Sequence, residues 1–242
     1  ELYNEADQDH VGWSHKTPRT SMDVTAGAVA SLLDTILRFN PAMKVFQPIS
    51  STVFGDSPPL QNEETLHNPR SPYATAKVAA YHLARHYRRT YGMFVVCGIL
   101  FNHDSPHRCN KGYLLHELRD QAIKVAAGEQ EQVLVGNPDL LVDIGSAREY
   151  MEAACALMQL DEADDYVIGT GKGYSIRELA ETALKKMWVN PDGRVAVNPY
   201  FVRPDKSSTL IADTQKIERA CSWKAKTHAP QVLLSLIEKK PC

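Results

Sequence analysis

The chain has 242 residues, 43% of them hydrophobic, enough for one domain with a large core or for a domain carrying a lobe. Its 27 basic and 29 acidic side chains give a net charge of −2, which argues against a nucleic-acid surface, and no apolar run is long enough to predict a membrane-spanning helix. No secretory signal is recognisable, and five scattered cysteines without a Cys-x-x-Cys pair suit free thiols in the cytoplasm or another reducing compartment such as an organelle matrix.

In chain order, Met22 to Phe39 predicts a helix: Val29, Leu32, Leu33, Ile36 and Leu37 recur at helical spacing, and Asn40-Pro41 ends it. Val45 to Ile49 reads as a strand, followed by the polar turn Ser50 to Gly55 and a loop to Asn68. Ser71 is a good N-cap, Pro72 suits the first helical position, and Gly92 stops the Ala- and Arg-rich helix 73–91. A second strand, Val95 to Leu100, leads into the polar loop Phe101 to Pro106. Helices are predicted over Gly112 to Ala127 and Ala147 to Leu160, with a solvated acidic connector at 161–165 and a strand from Tyr166 to Thr170. Ser175 and Glu178 form a capping box that opens a helix to Met187. Arg194 to Val202 alternates like a strand, Asp213 suits a helix cap, and Trp223 is expected in the core. Strand, polar loop, capped helix and strand make a parallel α/β series, whose ligands sit at the carboxyl ends of the strands.

Ser50, Tyr73, Lys77 and Asn102 would gather at that edge. Tyr73 and Lys77 are four residues apart, hence on one helix face, where an ammonium favours phenolate and lowers the phenol's pKa towards neutrality. A tyrosine so tuned accepts a proton from a substrate hydroxyl while a hydride leaves the same carbon. Alone, Tyr-x-x-x-Lys equally describes a surface pair on any helix. His82 and His86 have the i, i+4 spacing of zinc ligands, but no glutamate lies between them; they read as solvated, and no metal is expected.

The segments Glu1 to Asn4, Asp9-His10-Val11, Pro-Arg-Ser-Pro-Tyr-Ala-Thr-Ala-Lys at 69–77 and Gly-Ile-Leu-Phe-Asn-His-Asp-Ser-Pro at 98–106 resemble one family, over nearly the whole chain. It is the extended short-chain dehydrogenase/reductases acting on nucleotide sugars, and within them the GDP-mannose 4,6-dehydratases. Val135-Gly136-Asn137, Arg203-Pro204 and Asp213 add support. The resemblance implies a Rossmann-like parallel sheet with a small C-terminal α/β substrate lobe, NAD or NADP, and a nucleotide-diphosphate sugar. It implies that residues 1–101 are the remaining part of the cofactor domain, and 102–242 mostly lobe, with 131–160 returning to the sheet. The opening strand and its glycine-rich pyrophosphate turn would precede Glu1, so the sequence reads either as a fragment or as a protein without that cradle. By resemblance, Tyr73 is the acid/base, Lys77 tunes it and holds the cofactor ribose, and Ser50 hydrogen-bonds the sugar's C4 oxygen. Ala6, Leu100 and Asn102 would join Tyr73 and Lys77 around the cofactor. Asn102, Arg108 and Arg203 would meet the substrate, although Arg203 also reads as an ordinary surface arginine. Helices 22–39 and 73–91 would form a face for another copy or a larger assembly.

Departures from the family's pattern support a second reading. The dehydratase glutamate that removes a proton beside the new ketone falls at Thr52, which has no useful basicity near pH 7. Glu5, Asp7 and Asp9 replace a small-residue loop and would repel a pyrophosphate. Val142 stands where a phosphate-clasping arginine is expected, and basic or polar positions become Tyr113, Leu114, Leu115 and His116. Two functions therefore stay open: a nucleotide-sugar dehydratase or epimerase, a lyase by descent, and a catalytically degenerate pseudoenzyme serving as a structural subunit or scaffold.

Overall fold

A computed structural model describes residues 1–108, 112–201 and 208–238. Four strands form its main sheet, in the order β1 (Leu2–Tyr3), β2 (Val45–Ser50), β3 (Val95–Leu100) and β8 (Asp165–Ile168), every pairing parallel. The two apolar strands β2 and β3 bury both faces, as parallel strands between two helical layers must. Val45, Ile49, Val95, Cys97 and Ile99 pack on one side against α3 (Ala28–Phe39) and α4 (Pro72–Tyr91). Phe46, Val96 and Leu100 pack on the other, against α6 (Ala147–Leu157) and Ile217 of α8 (Gln215–Cys221). This is the doubly wound α/β arrangement expected.

A second core belongs to a lobe. Helices α5 (Leu114–Ala126), α7 (Ile176–Lys186) and α9 (Ala229–Glu238) enclose it with Val133, Val135, Val142 and Ile144. Its strands pair in twos: β5 (Val133–Val135) with β10 (Val195–Val197), and β6 (Leu141–Val142) with β9 (Tyr174–Ser175). A third pair, β4 (Asn102–Asp104) with β7 (Ile144–Ser146), continues from the carboxyl end of β3. Of residues 131–160, β5 and β6 thus pair with lobe strands, whereas α6 lies on the sheet.

Local chemistry explains the best-defined elements. Ser71 Oγ accepts from Ala74 N at 3.1 Å, Pro72 opens α4, and Gly92 closes it with φ 68°. The Ser175–Glu178 capping box is formed, with both backbone N–H groups satisfied, at 2.7 and 3.1 Å.

Four expectations change. After a short α1 (Val11–Ser14), the helix predicted from Met22 begins at Pro18 as α2 (Pro18–Ser21) and contains a π-helical segment, Met22–Gly27, before α3; apolar periodicity does not reveal such an inserted residue. Asp165 is not a solvated connector residue: it is buried, accepting from Tyr81 Oη at 2.9 Å and Arg88 Nη2 at 2.7 Å, and so ties α4 to the far strand. The strand expected over 194–202 spans only β10 and gives way to a 3-10 turn at Pro199–Phe201, because proline has no N–H to extend the ladder; Val202 lies outside the described residues. Trp223 packs half-buried at the rim of the core.

Candidate active site

Because β1, β2 and β3 run parallel, Asn4, Ser50 and Asn102 lie at or just past their carboxyl ends on one edge of the sheet. The capped N-terminus of α4 delivers Tyr73 to the same edge, with Lys77 one turn further on. Ser50 caps a 3-10 turn, Ser51–Phe54. Its Oγ accepts from Thr52 N at 3.3 Å and Thr52 Oγ1 at 2.9 Å, and the hydroxyl neighbours the Tyr73 phenol, on which it acts in the direction that lowers the pKa. Ser50, Tyr73 and Lys77 therefore come together. Leu100 is buried at the end of β3, whereas Asn102 and Ala6 are exposed beside the site.

Lys77 is 3% exposed. Its Nζ donates to the Pro48 carbonyl at 2.9 Å and forms an ion pair with Asp7 at 2.7 Å, lying 5.9 Å from the centre of the Tyr73 ring. Asp7 is held in turn: its other carboxylate oxygen accepts from Gln8 N at 2.8 Å and from Thr25 Oγ1, in the π-helical segment, at 2.5 Å. The carboxylates of the 5–9 loop were expected to crowd a pyrophosphate. Instead Asp7 is bound to Lys77, and Asp9 accepts from Tyr113 Oη at 2.8 Å and lies 3.8 Å from Arg108 Nη1; Glu5 stays exposed.

The expected lowering of the Tyr73 pKa is overturned. Burial pushes the phenol far up, Asp7, Asp9 and Tyr113 add to the rise, and Ser50 opposes it. The ammonium that would favour phenolate already faces a carboxylate.

Arg108, a candidate substrate residue, is drawn into a cluster. Its Nε donates to Asp104 at 3.1 Å, its guanidinium stacks 3.8 Å over the Tyr113 ring, and buried His116 reaches the same Asp104 oxygen at 3.2 Å. Val142 packs in the lobe core. Its neighbour Asp143, buried, accepts from Thr170 N, Thr170 Oγ1, Gly171 N and Ala212 N, joining the ends of three segments. Burial raises its pKa and these donors pull it back. Arg203 lies outside the described residues. Sequence reasoning missed the pairing of Asp7 with Lys77 and the role of Thr25. The only available signal was a carboxylate in a loop following a strand.

A dinucleotide fits this edge in part. Asn102 and the Ala6 loop are open to a ligand, and Lys77, with two of its three N–H groups committed among the described residues, keeps one for a ribose hydroxyl. What such a cofactor supplies is a hydride acceptor or donor.

Residues 1–235 match a family model described as GDP-mannose 4,6 dehydratase. The chain is 31% identical over 243 residues to GDP-mannose 4,6 dehydratase 1 of Arabidopsis thaliana, covering 99% of this chain and 67% of that protein. It is 34% identical over 256 residues to GDP-mannose 4,6 dehydratase 2 of Caenorhabditis elegans, covering 98% and 67%. It therefore spans about two thirds of the length of these relatives. Among solved structures, RMD from Pseudomonas aeruginosa complexed with NADPH superposes with a TM-score of 0.85 at 22% identity, over 98% of this chain and 80% of that one. UDP-glucose 4-epimerase from Thermotoga maritima with UDP-glucose gives 0.85 at 18% identity, over 99% and 76%. At such identities the structural likeness establishes the fold.

Proposed function

The chain belongs to the GDP-mannose 4,6-dehydratase family of extended short-chain dehydrogenase/reductases, and from that premise we propose that it works on the C4 position of a nucleotide-diphosphate sugar with NAD or NADP. The observation that carries this reading is the meeting of Ser50, Tyr73 and Lys77 at the carboxyl edge of the sheet. In it, Ser50 donates to the C4 oxygen, Tyr73 exchanges a proton with it, and Lys77 orients the cofactor ribose. Asn102, Ala6 and Leu100 border the cofactor, and Asn102 and Arg108 meet the substrate.

Thr52 favours C4 redox or epimerisation over water elimination. Its hydroxyl is spent on Ser50, and a threonine hydroxyl has no useful basicity near pH 7. The proteins named above are dehydratases, an epimerase and an NADPH-bound relative, so the scaffold alternative draws no support from them.

Helices α2 to α3 and α4 also leave Met22, Val24, Phe39 and Tyr91 exposed, which supports packing against a second copy of the chain.

Incubating the protein with NAD(P) and GDP-, UDP- and dTDP-linked hexoses, followed by mass spectrometry and carbohydrate NMR, tests the reading. The expected products have altered C4 configuration or oxidation state. A product lighter by one water at enzyme-like turnover would defeat the epimerase-like form, and no change with any sugar would defeat the enzymatic reading.

A further inference from the structure

Lysine and tyrosine one helical turn apart are expected to interact as a free cation and an acidified phenol. Here the ammonium is nearly inaccessible and is held from two sides, by the Pro48 carbonyl at 2.9 Å and by Asp7 at 2.7 Å. Asp7 is not a mobile surface carboxylate that drifted into contact. Three donors from three parts of the fold fix it: Gln8 N in its own loop, Thr25 Oγ1 in the π-helical segment, and Lys77 Nζ on α4. The π segment faces α4 and presents Thr25, itself buried, to the pair. An insertion of this kind re-aims the side chains that follow it, and such segments recur at functional sites.

We infer that Asp7 is a positioning residue of this site, holding the Lys77 ammonium as one half of a buried ion pair so that Tyr73 faces a neutralised lysine. The inference deepens the proposed C4 chemistry and rests on that reading.

Most of the charged and titratable groups around Tyr73 raise its pKa, and Ser50 lowers it. Asp7 and Asp9 come from the loop after β1, Tyr113 from the lobe, and Ser50 from the end of β2; Lys77 on its own helix is the sole cation among them, and Glu5 is the further charge acting on Lys77. From the helical rod beneath, the contacting group is the uncharged Thr25. With Lys77 paired, the field at the phenol is that of the carboxylates, and burial disfavours phenolate further. Tyr73 in the ligand-free protein is therefore a proton donor at neutral pH. Its service as a base requires either alkaline conditions or a ligand that displaces Asp7 from Lys77. The oxidative direction of the reaction then rises with pH over the range in which the reductive direction is flat.

The test is read in the protein without nucleotide. Tyrosine labelled with ¹³C at Cζ is titrated by NMR in the wild type, with Tyr73 assigned by its loss in Tyr73→Phe. In the wild type, Tyr73 should remain protonated to the alkaline limit of the folded protein. In Asp7→Ala, the acid dissociation constant of Tyr73 should rise at least tenfold. Asp7→Asn serves as a second variant should the alanine protein not fold, with the same expectation. Asp9→Asn should move the resonance less. An unchanged Tyr73 titration in a folded Asp7 variant, or an equal shift in Asp9→Asn, would overturn the inference. Turnover with nucleotide sugars is scored separately, so loss of the enzymatic reading would show there while the carbon titration stands.

Discussion

At the scale of single residues, the site is a balance between burial and pairing. Tyr73 is the phenol in reach of Ser50, so Tyr73→Phe is expected to lower any C4 turnover by about 10²–10⁴-fold while leaving circular dichroism unchanged. Its raised pKa also has a stability consequence whose sign is fixed. Above the pKa of about 10 of an unfolded tyrosine, the folded state binds more protons than the unfolded one, so stability falls as pH rises. Tyr81 and Tyr150 act in the same direction, both pushed up first by burial. Urea unfolding followed from pH 8 to about pH 11 should therefore show a steepening loss, and Tyr73→Phe should soften it. The identities of Ser50, Tyr73 and Lys77 were legible because strand ends and a capped helix bring them to one edge. The partner of Lys77 was not, since it lies in a loop with no periodicity of its own, and like charge in that loop suggested repulsion rather than pairing.

At the scale of elements, two glycines show which turns are rigid. Gly55 ends the 3-10 turn behind Ser50 with φ 57° and ψ −120°, and a Cβ there would meet the Asn68 backbone carbonyl. Gly92 also has positive φ, at 68°, but nothing lies within 4 Å of the place a Cβ would take. Gly55→Ala should therefore destabilise by more than about 2 kcal/mol, from strain and a clash that backbone cannot relieve. Gly92→Ala should cost only about 1 kcal/mol, the ordinary penalty of the left-handed region. Chemical denaturation of both variants checks the order. The helix α4 was readable end to end because serine, proline and glycine mark its limits, and β2 and β3 because each is an unbroken apolar run. The π segment left no such mark, and Asp165 read as solvated because its partners Tyr81 and Arg88 lie far away in sequence.

At the scale of the whole molecule, one sheet and one lobe have separate cores, and their relation decides how the site is used. The α2–α3 rod and α4 expose Met22, Val24, Phe39 and Tyr91. Val24→Glu is accordingly expected to shift the protein from dimer to monomer in light scattering, with its melting behaviour otherwise kept; a wild-type monomer would refute the shared face. The lobe is joined to the sheet loop near Tyr73 by Tyr113 and Asp9, residues far apart in the chain yet 2.8 Å apart in space. That bond, with Arg108 stacked on the same ring and 3.8 Å from Asp9, ties the lobe to the loop beside Tyr73. On the proposed reading, a nucleotide entering beside Tyr73 trades this bond for contacts of its own, so the bond slows entry and its energy is subtracted from affinity. In stopped-flow measurements, Tyr113→Phe should therefore admit nucleotide faster and hold it more tightly, with the release rate little changed.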